Sequence, residues 1–419
     1  MKKSLILPEL ALFITSAMLG LSNGMHHTLI SVRGGLEDFP LVSMGIIMSL
    51  YYFGFLIGSK TASYYIKRVG HIRTFASFAS IASAAALLYA MFPNIVFWAV
   101  MRLITGVCFA ILFVAAESWL HQKATKEVRG QMLAIYMIIQ FTAMAFGQFI
   151  INIADPLTFD LFVILSVIVS LSLVPLTLTK SPGPNIQESS DLSFKELFNA
   201  APLAFFASLM CGFSNSAFFS MTAIYAADEG IKLTHITWII IAATIGGLVA
   251  QWPVGWFSDT FDRRKITFFI TAIAACASAS LGVFIGSTPL MLLSAFILGG
   301  ALLSIYPVAI AIAIDSVESE QILDANAAMQ SIYSLGASIG PFAASLFMFM
   351  LGNEGFIFWL ILTFSITALI AATRATVLPA WEPEEQSDFI ALPPATPTPV
   401  TLELDERIQE EIEDFYNDE

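Results

Sequence analysis

Charge is what this sequence has least of. Only 12% of its 419 residues are Asp, Glu, Lys or Arg, against 57% hydrophobic, whereas soluble domains carry about 25% charged and about 45–50% apolar residues. A soluble chain of this length needs about twice that charge to cover its surface, so composition excludes an ordinary soluble protein. Cysteine is scarce as well. Cys108, Cys211 and Cys276 lie far apart in apolar runs and build neither a disulfide framework nor a zinc site. The phosphate-cradling pattern G-x-x-x-x-G-K-[ST] is missing; the nearest string, GSKT at 58–61, has the wrong spacing, which excludes ATP drive within the chain. No Asp or Glu stands in the middle of an apolar run; Glu9, Glu117 and Asp315 stand near the ends. A deep carboxylate is what a cation carrier ordinarily needs to compensate its cargo, so the expected substrate is neutral or anionic.

What is present is apolar length. The 36 Phe and the long uncharged stretches make lipid the solvent. The net charge of −13 belongs to one end: from Pro379 onward thirteen acids face Arg407 alone, leaving −1 for everything before. A basic surface for nucleic acid is absent. At 1.5 Å rise per residue a membrane span needs about 20 mostly apolar residues. Twelve runs qualify, at 8–30, 40–66, 72–92, 95–121, 131–153, 159–179, 201–226, 235–257, 267–286, 289–315, 325–351 and 355–377. They lack period-two alternation, so they are helices and not barrel strands. Met1-Lys2-Lys3 ahead of an apolar run resembles a signal peptide, but the run to Ile30 is long enough to span and is read as a retained helix.

An even number of spans puts both termini on one side. With the N-terminus inside, sixteen of the nineteen Lys and Arg fall on the cytoplasmic side and only Arg33 and Lys232 opposite, with Arg102 inside a span. The positive-inside rule therefore predicts cytoplasmic termini in a cell inner membrane. The longest polar break, 180–200, divides the spans six and six. The predicted organisation is an N-terminal six-helix bundle (1–179), a central cytoplasmic loop (180–200), a C-terminal six-helix bundle (201–378) and an acidic cytoplasmic tail (379–419). Basic clusters recur at KRVGHIR (67–73) and DTFDRRK (259–265), as in a transporter made of two similar halves.

Six plus six helices with GWFSDTFDRRK after the eighth span resemble the major facilitator superfamily. Gly255, Asp259, Arg263, Arg264 and Lys265 fit the family's loop signature G-x-x-x-D-x-x-G-R-[RK]-[RK], with Asp262 replacing its second Gly. The first-half copy is degraded, with Ser63 and Lys67 where Gly and Asp would stand, leaving Gly70 and Arg73. Arg102-x-x-x-Gly106 is similar to the family's R-x-x-x-G in the fourth span. Longer segments, among them RLITGVCFAILFVAAESWL (102–120), AQWPVGWFSD (250–259) and GASIGP (336–341), are similar to the YcaD-like branch. The resemblance implies an all-α fold of two pseudo-symmetric six-helix bundles. It also implies a secondary transporter working by alternating access, with Asp259 and Arg264 in a latch between the halves. Glu117 and Arg129 are then the partner set in the other half, and Asp315 is the counterpart of Glu117.

The remaining candidates come from polar residues in spans. Arg102 is a base buried in a span; either it faces the cavity and attracts an anion, or it snorkels or bonds a neighbouring helix. Asn326, Gln330 and Tyr333 share one helical face, as do Tyr136 and Gln140, and Asn23 and His27. With Asn215 and Tyr306 they outline a central cavity, although such groups also serve simply to join helices. His26 and His27 are candidates for pH coupling, but adjacent residues point about 100° apart and do not both face one cavity. Metal spacing is absent, no cofactor is expected, and no Ser/His, paired-carboxylate or metal constellation marks an enzyme. In the tail, Leu404, Ile408, Ile412 and Phe415 would lie on one face of an acidic helix, or the tail is simply solvated. The expected function is secondary transport of a small organic solute by a monomer in the bilayer, with the proton as candidate coupling ion. The alternative is a transporter-like scaffold or sensor whose acidic tail recruits a partner.

Overall fold

The computed structural model describes residues 10–123, 129–178, 194–318, 321–377 and Phe389. The tail helix expected at 404–415, the start of the chain and most of the central loop lie outside them. Fourteen helices are described. The first half holds α1 (Leu10–Leu36), α2 (Leu41–Val69), α3 (His71–Met91), α4 (Ile95–Lys123), α5 (Arg129–Ile150), α6 (Asp160–Leu171) and α7 (Leu173–Thr177). The short α8 (Phe194–Ala200) leads into the second half: α9 (Pro202–Asp228), α10 (Leu233–Thr260), α11 (Arg263–Val283), α12 (Thr288–Asp315), α13 (Ile322–Leu351) and α14 (Glu354–Val377). Helices α6 and α7 together make one span, so twelve spans form two bundles of six.

The break between α6 and α7 has a local cause. Pro175 lacks an N–H and its ring clashes with the carbonyl four residues back, which is Leu171, where α6 ends. The neighbouring Ser172 carbonyl accepts from Thr15 Oγ1 at 3.0 Å, so the break is also a joint to α1.

Ten helices are long and apolar enough to cross a membrane by length and composition; α1 is not among them, and α5 contributes only the 17-residue Ala134–Ile150. The polarity of α1 follows from its surroundings. Ser16, Ser22, Asn23, His26, His27, Thr28 and Ser31 are all buried, so the helix meets protein instead of lipid and finds polar partners there. The opposite pattern appears on the outside, where Trp252, Phe349 and Leu178 are 81%, 72% and 77% exposed, as lipid-facing side chains should be.

Glycine sets the closest helix pairs. A Cβ on Gly54 would overlap the Leu103 carbonyl, and one on Gly106 the Tyr51 carbonyl, so α2 and α4 meet backbone to backbone. In the second half Gly246 meets Phe296 and Gly299 meets Ala243 in the same manner between α10 and α12. These are the second and fourth spans of each half, which is the pseudo-symmetry expressed in packing.

Connections at 37–40, 92–94, 151–159, 229–232, 284–287 and 352–353 share one face, the distal face. The start of α1 and the end of α14 share the proximal face. On the distal side the halves are joined. Ser31 Oγ donates to the Ser220 carbonyl at 2.6 Å, the Phe342 N–H donates to Ser49 Oγ at 3.0 Å, and Asn152 Nδ2 donates to Thr237 Oγ1 at 3.0 Å. The Phe149 and Trp238 rings meet edge to face at 5.0 Å.

Candidate functional site

One to a few turns proximal to those joints, the facing helices separate around a cavity of about 800 Å³, its open side included. Asn23 and His27 of α1 and Tyr51, Tyr52 and Phe55 of α2 wall one side, with Met144 of α5. Opposite stand Asn215 and Phe219 of α9, Tyr306 of α12, and Gln330 and Tyr333 of α13. On every one of α1, α2, α9 and α13 the wall residues precede the joint in the proximal direction: His27 before Ser31, Tyr51 before Ser49, Asn215 before Ser220, Tyr333 before Phe342. The cavity therefore closes distally.

Its polar groups are held by one another. Tyr51 Oη donates to Asn23 Oδ1 at 2.8 Å, and Asn215 Nδ2 donates to Tyr333 Oη at 2.8 Å. Asn23 and Asn215 occupy the first span of each half, about 192 residues apart, and each meets a tyrosine hydroxyl. Tyr306 Oη donates to Gln330 Oε1 at 2.7 Å, and the Tyr306 and Tyr333 rings lie 4.9 Å apart. No Asp, Glu, Lys or Arg lines the cavity among the described residues.

Arg102 lies one layer behind the wall and is 0% exposed. It does not snorkel. Its Nη1 is 3.4 Å from His26 Nδ1 and its Nη2 is 3.2 Å from His27 Nδ1. The guanidinium carbon sits 4.6 Å from the Tyr51 ring centroid, a cation–π contact. A guanidinium only donates, so both imidazole Nδ1 atoms accept, and in a neutral ring the proton then sits on Nε2. The two histidines do diverge: His27 lines the cavity, whereas His26 points into the bundle and stacks on Phe109 at 5.7 Å. Both nonetheless meet the same cation. No carboxylate pairs with Arg102 among the described residues.

Glu117 is 1% exposed and accepts from Tyr136 Oη on α5, whose oxygen accepts in turn from Gln140 Nε2 at 3.0 Å. Its second oxygen has no hydrogen-bond partner among the described residues. Gln140 abuts Gly20 of α1, so closely that a Cβ there would overlap its amide. Gly20 is one turn from Asn23, and Gln140 one turn from Met144, so this chain of groups ends beside the cavity without lining it. Asn326 is buried on α13 and also stands off the wall.

The signature loop forms a different cluster. Arg263, 0% exposed, bridges Asp315 Oδ2 at 2.6 Å and Asp259 Oδ1 at 3.2 Å. Arg264 instead bonds Asp262, the N-cap of α11, through its backbone N–H at 2.9 Å and its Nε at 3.0 Å. Among the described residues Asp259 thus meets Arg263. Arg73 is exposed near the start of α3. Arg129 begins α5, with its side chain outside the described ones. At the first residue of α3, the place that Arg263 takes in α11, stands His71, whose Nε2 is 3.2 Å from Ser118 Oγ.

Tyr51, Tyr52, Phe55 and Phe219 escaped the sequence reading. They carry no polar periodicity, and the Tyr51-Tyr52 pair alone could have signalled an aromatic wall.

The Major Facilitator Superfamily family model matches residues 12–234 and 204–407. A protein of Escherichia coli, named as an uncharacterized MFS-type transporter YcaD, is 26% identical over 374 residues, covering 85% of this chain and 95% of its own. Its counterpart in Escherichia fergusonii is 24% identical over 366 residues with the same coverages. Among solved structures, a mutant of the nucleoside transporter NupG superposes with a TM-score of 0.73 at 13% identity, covering 89% of this chain and 100% of that one. A bacterial homolog of the human lysosomal transporter Spinster, inward-facing and unoccupied, gives 0.69 at 12% identity, covering 91% and 100%.

Proposed function

The chain belongs to the major facilitator superfamily of membrane transporters, and from that premise we propose that it carries a small uncharged organic solute through its central cavity by alternating access. The carrying observation is the wall itself: tyrosines, phenylalanines and amides, with the Arg102 charge kept one layer back. Ionised cargo would meet no countercharge there, and its desolvation would go uncompensated. A flat solute bearing hydroxyl or carbonyl groups would stack on Tyr306 and Tyr333 and bond Asn23, Asn215 and Gln330. His27, its tautomer set by Arg102, would offer Nε2–H to an acceptor on the solute.

Glu117 is the group we assign to proton coupling. It is buried and lacks a cation among the described residues, unlike Asp315, which has Arg263. A carboxyl in that setting holds or releases a proton according to which face water reaches. Tyr136 and Gln140 link it toward the cavity. The basic residues on the proximal face support placing that face in the cytoplasm, with both termini there, in the inner membrane. The cavity is then open inward. The division into 1–179, 180–200, 201–378 and 379–419 belongs to the same proposal, with the two bundles moving as units.

The test is counterflow in proteoliposomes with panels of neutral, anionic and cationic solutes, with and without a pH gradient. Exchange of a neutral solute, concentrated when a proton gradient is imposed, is expected. Flux confined to permanently charged solutes would refute the cavity reading, and no flux at all would favour a scaffold.

A further inference from the structure

Phe389 stands apart from the bundle in sequence, twelve residues past the end of α14, yet it is seated on α10. Its backbone N–H donates to Asp259 Oδ1 at 2.9 Å. Its ring covers Gly255, where a Cβ would lie 2.7 Å from Phe389 Cδ1. The ring is partly buried against the hydrophobic core.

We infer that the Gly255–Asp259 face of α10 is a docking site for the chain's own post-helical segment, and that Phe389 seated there holds the proximal mouth open. The position of the face carries the argument. Gly255 comes eighteen residues after Thr237, which at 3.6 residues per turn is five whole turns. Both residues therefore lie on one side of α10, apart from whatever bend Pro253 introduces. At the distal end that side meets the residue two past the end of α5, through Asn152 on Thr237, and the neighbouring Trp238 meets Phe149 of α5. Rocking that closes the proximal mouth must bring the proximal end of α5 toward the same side of α10. Phe389 occupies that ground.

The chemistry suits a removable occupant. Gly255 offers a bare backbone on which an aromatic ring can lie flat. Asp259 is 40% exposed and already shares Oδ1 with Arg263, so it can lose the Phe389 N–H without being left as a buried unpaired charge. Glu384, Glu385 and Asp388 precede Phe389, and Arg263, Arg264 and Lys265 begin α11 beside the site. Opposite charge thus favours the acidic segment over other apolar strings of the chain. In this arrangement Phe389 is a doorstop that must leave before the mouth shuts.

The inference takes from the proposed function only that the mouth can close. Its test uses the full chain in lipid nanodiscs, with Cys276→Ser and spin labels at Gln131 on α5 and Thr260 on α10, both exposed on the proximal side. Distance distributions are compared for this chain, for Phe389→Ala, and for a chain ending at residue 378. Removing a partly buried Phe ring should raise the short-distance population about fivefold in both variants. A peptide spanning 379–395 added to the truncated chain should reverse the shift, and the same peptide carrying Phe389→Ala should not. Unchanged distributions in both variants, or a shift on truncation without one in Phe389→Ala, overturn the inference. A single distance in every sample, with the melting temperature retained, overturns it together with alternating access. A shift in these distances with no solute flux would instead count against the transport reading alone.

Discussion

Replacing Arg102 separates a binding role from an architectural one. The side chain holds two imidazole Nδ1 atoms at 3.4 and 3.2 Å and lies over Tyr51 at 4.6 Å. Hydrogen bonds to a charged group contribute about 1.5–3 kcal/mol each, and a desolvated cation–π contact about 2 kcal/mol. Against this stands the cost of an intramembrane cation, at least about 2.5–3.5 kcal/mol on insertion scales. Arg102→Ala recovers that cost but leaves a cavity and orphans two buried acceptors, at about 1–3 kcal/mol apiece. The net expectation is a loss of about 2–4 kcal/mol, from the two orphaned acceptors less part of the recovered cost. Arg102→Lys keeps the charge without the fork and reaches one imidazole at most, so it should lose roughly half as much.

Solute binding should respond more weakly, because Arg102 reaches the cavity only through wall residues, bonding His27 and lying over Tyr51. Losing one oriented donor weakens binding about tenfold, the weight of one net hydrogen bond. His27→Ala should weaken it as much, and should also cost about 1.5–3 kcal/mol of stability through the lost bond to the buried Arg102. The assay is melting temperature and ligand affinity on the same detergent samples, with a solute found by counterflow. Abolished binding in Arg102→Ala at an unchanged melting temperature would refute this placement and return Arg102 to the cavity wall.

Other perturbations read the remaining parts. Glu117→Gln should retain solute exchange but lose concentration driven by a pH gradient; accumulation at the original level would remove Glu117 from coupling. Asp315→Asn should lower stability by about 3–5 kcal/mol, because it strips the buried Arg263 of its closest carboxylate, while Asp259→Asn, at a half-exposed partner, should cost under about 1 kcal/mol. Equal losses in the two would mean that Arg263 does not depend on Asp315. Deleting residues 391–419 should leave insertion and flux intact, since Phe389 and both bundles remain; loss of flux in a normally inserted chain would make the distal tail part of the machinery.

The spans were legible because hydrocarbon imposes a length and penalises charge, and both constraints are local. Where the reading drifted, the solvent was protein. The first span is read from its apolar run as 8–30, yet α1 continues to Leu36, where Arg33 finds a partner in the Pro156 carbonyl at 2.8 Å. Helix α11 begins at Arg263, earlier than 267, because Asp262 caps it. The cavity was less legible. Polar stripes on one helix identify a face but not its depth, so Asn23, Asn215, Tyr306, Gln330 and Tyr333 reach the wall while Tyr136 and Gln140, on an equally regular stripe, look toward Glu117. Which layer a buried residue occupies depends on the neighbouring helix, and no spacing within one helix encodes it.

The two halves differ in the partners of the carboxylates near the proximal ends of their fourth spans, and that difference bears on the proposed mechanism. In the second half a carboxylate at the proximal end of the fourth span, Asp315, is paired with Arg263 at the head of the third. In the first half His71 stands at the head of the third span, while the carboxylate of the fourth span, Glu117, lies six residues before the end of α4; they take other partners, Ser118 and Tyr136 respectively. The Asp315–Arg263 pair is buried on both sides, at 1% and 0% side-chain exposure. Glu117 has no such neighbour among the described residues, and its second carboxylate oxygen has no hydrogen-bond partner there, which is the asymmetry behind its proposed coupling role. Restoring the match tests this directly. His71→Arg should pair with Glu117, raise the melting temperature, and uncouple solute exchange from the pH gradient. A variant that gains the stability while keeping full coupling would show that Glu117 does not need to change protonation, and the proton carrier would have to be sought elsewhere.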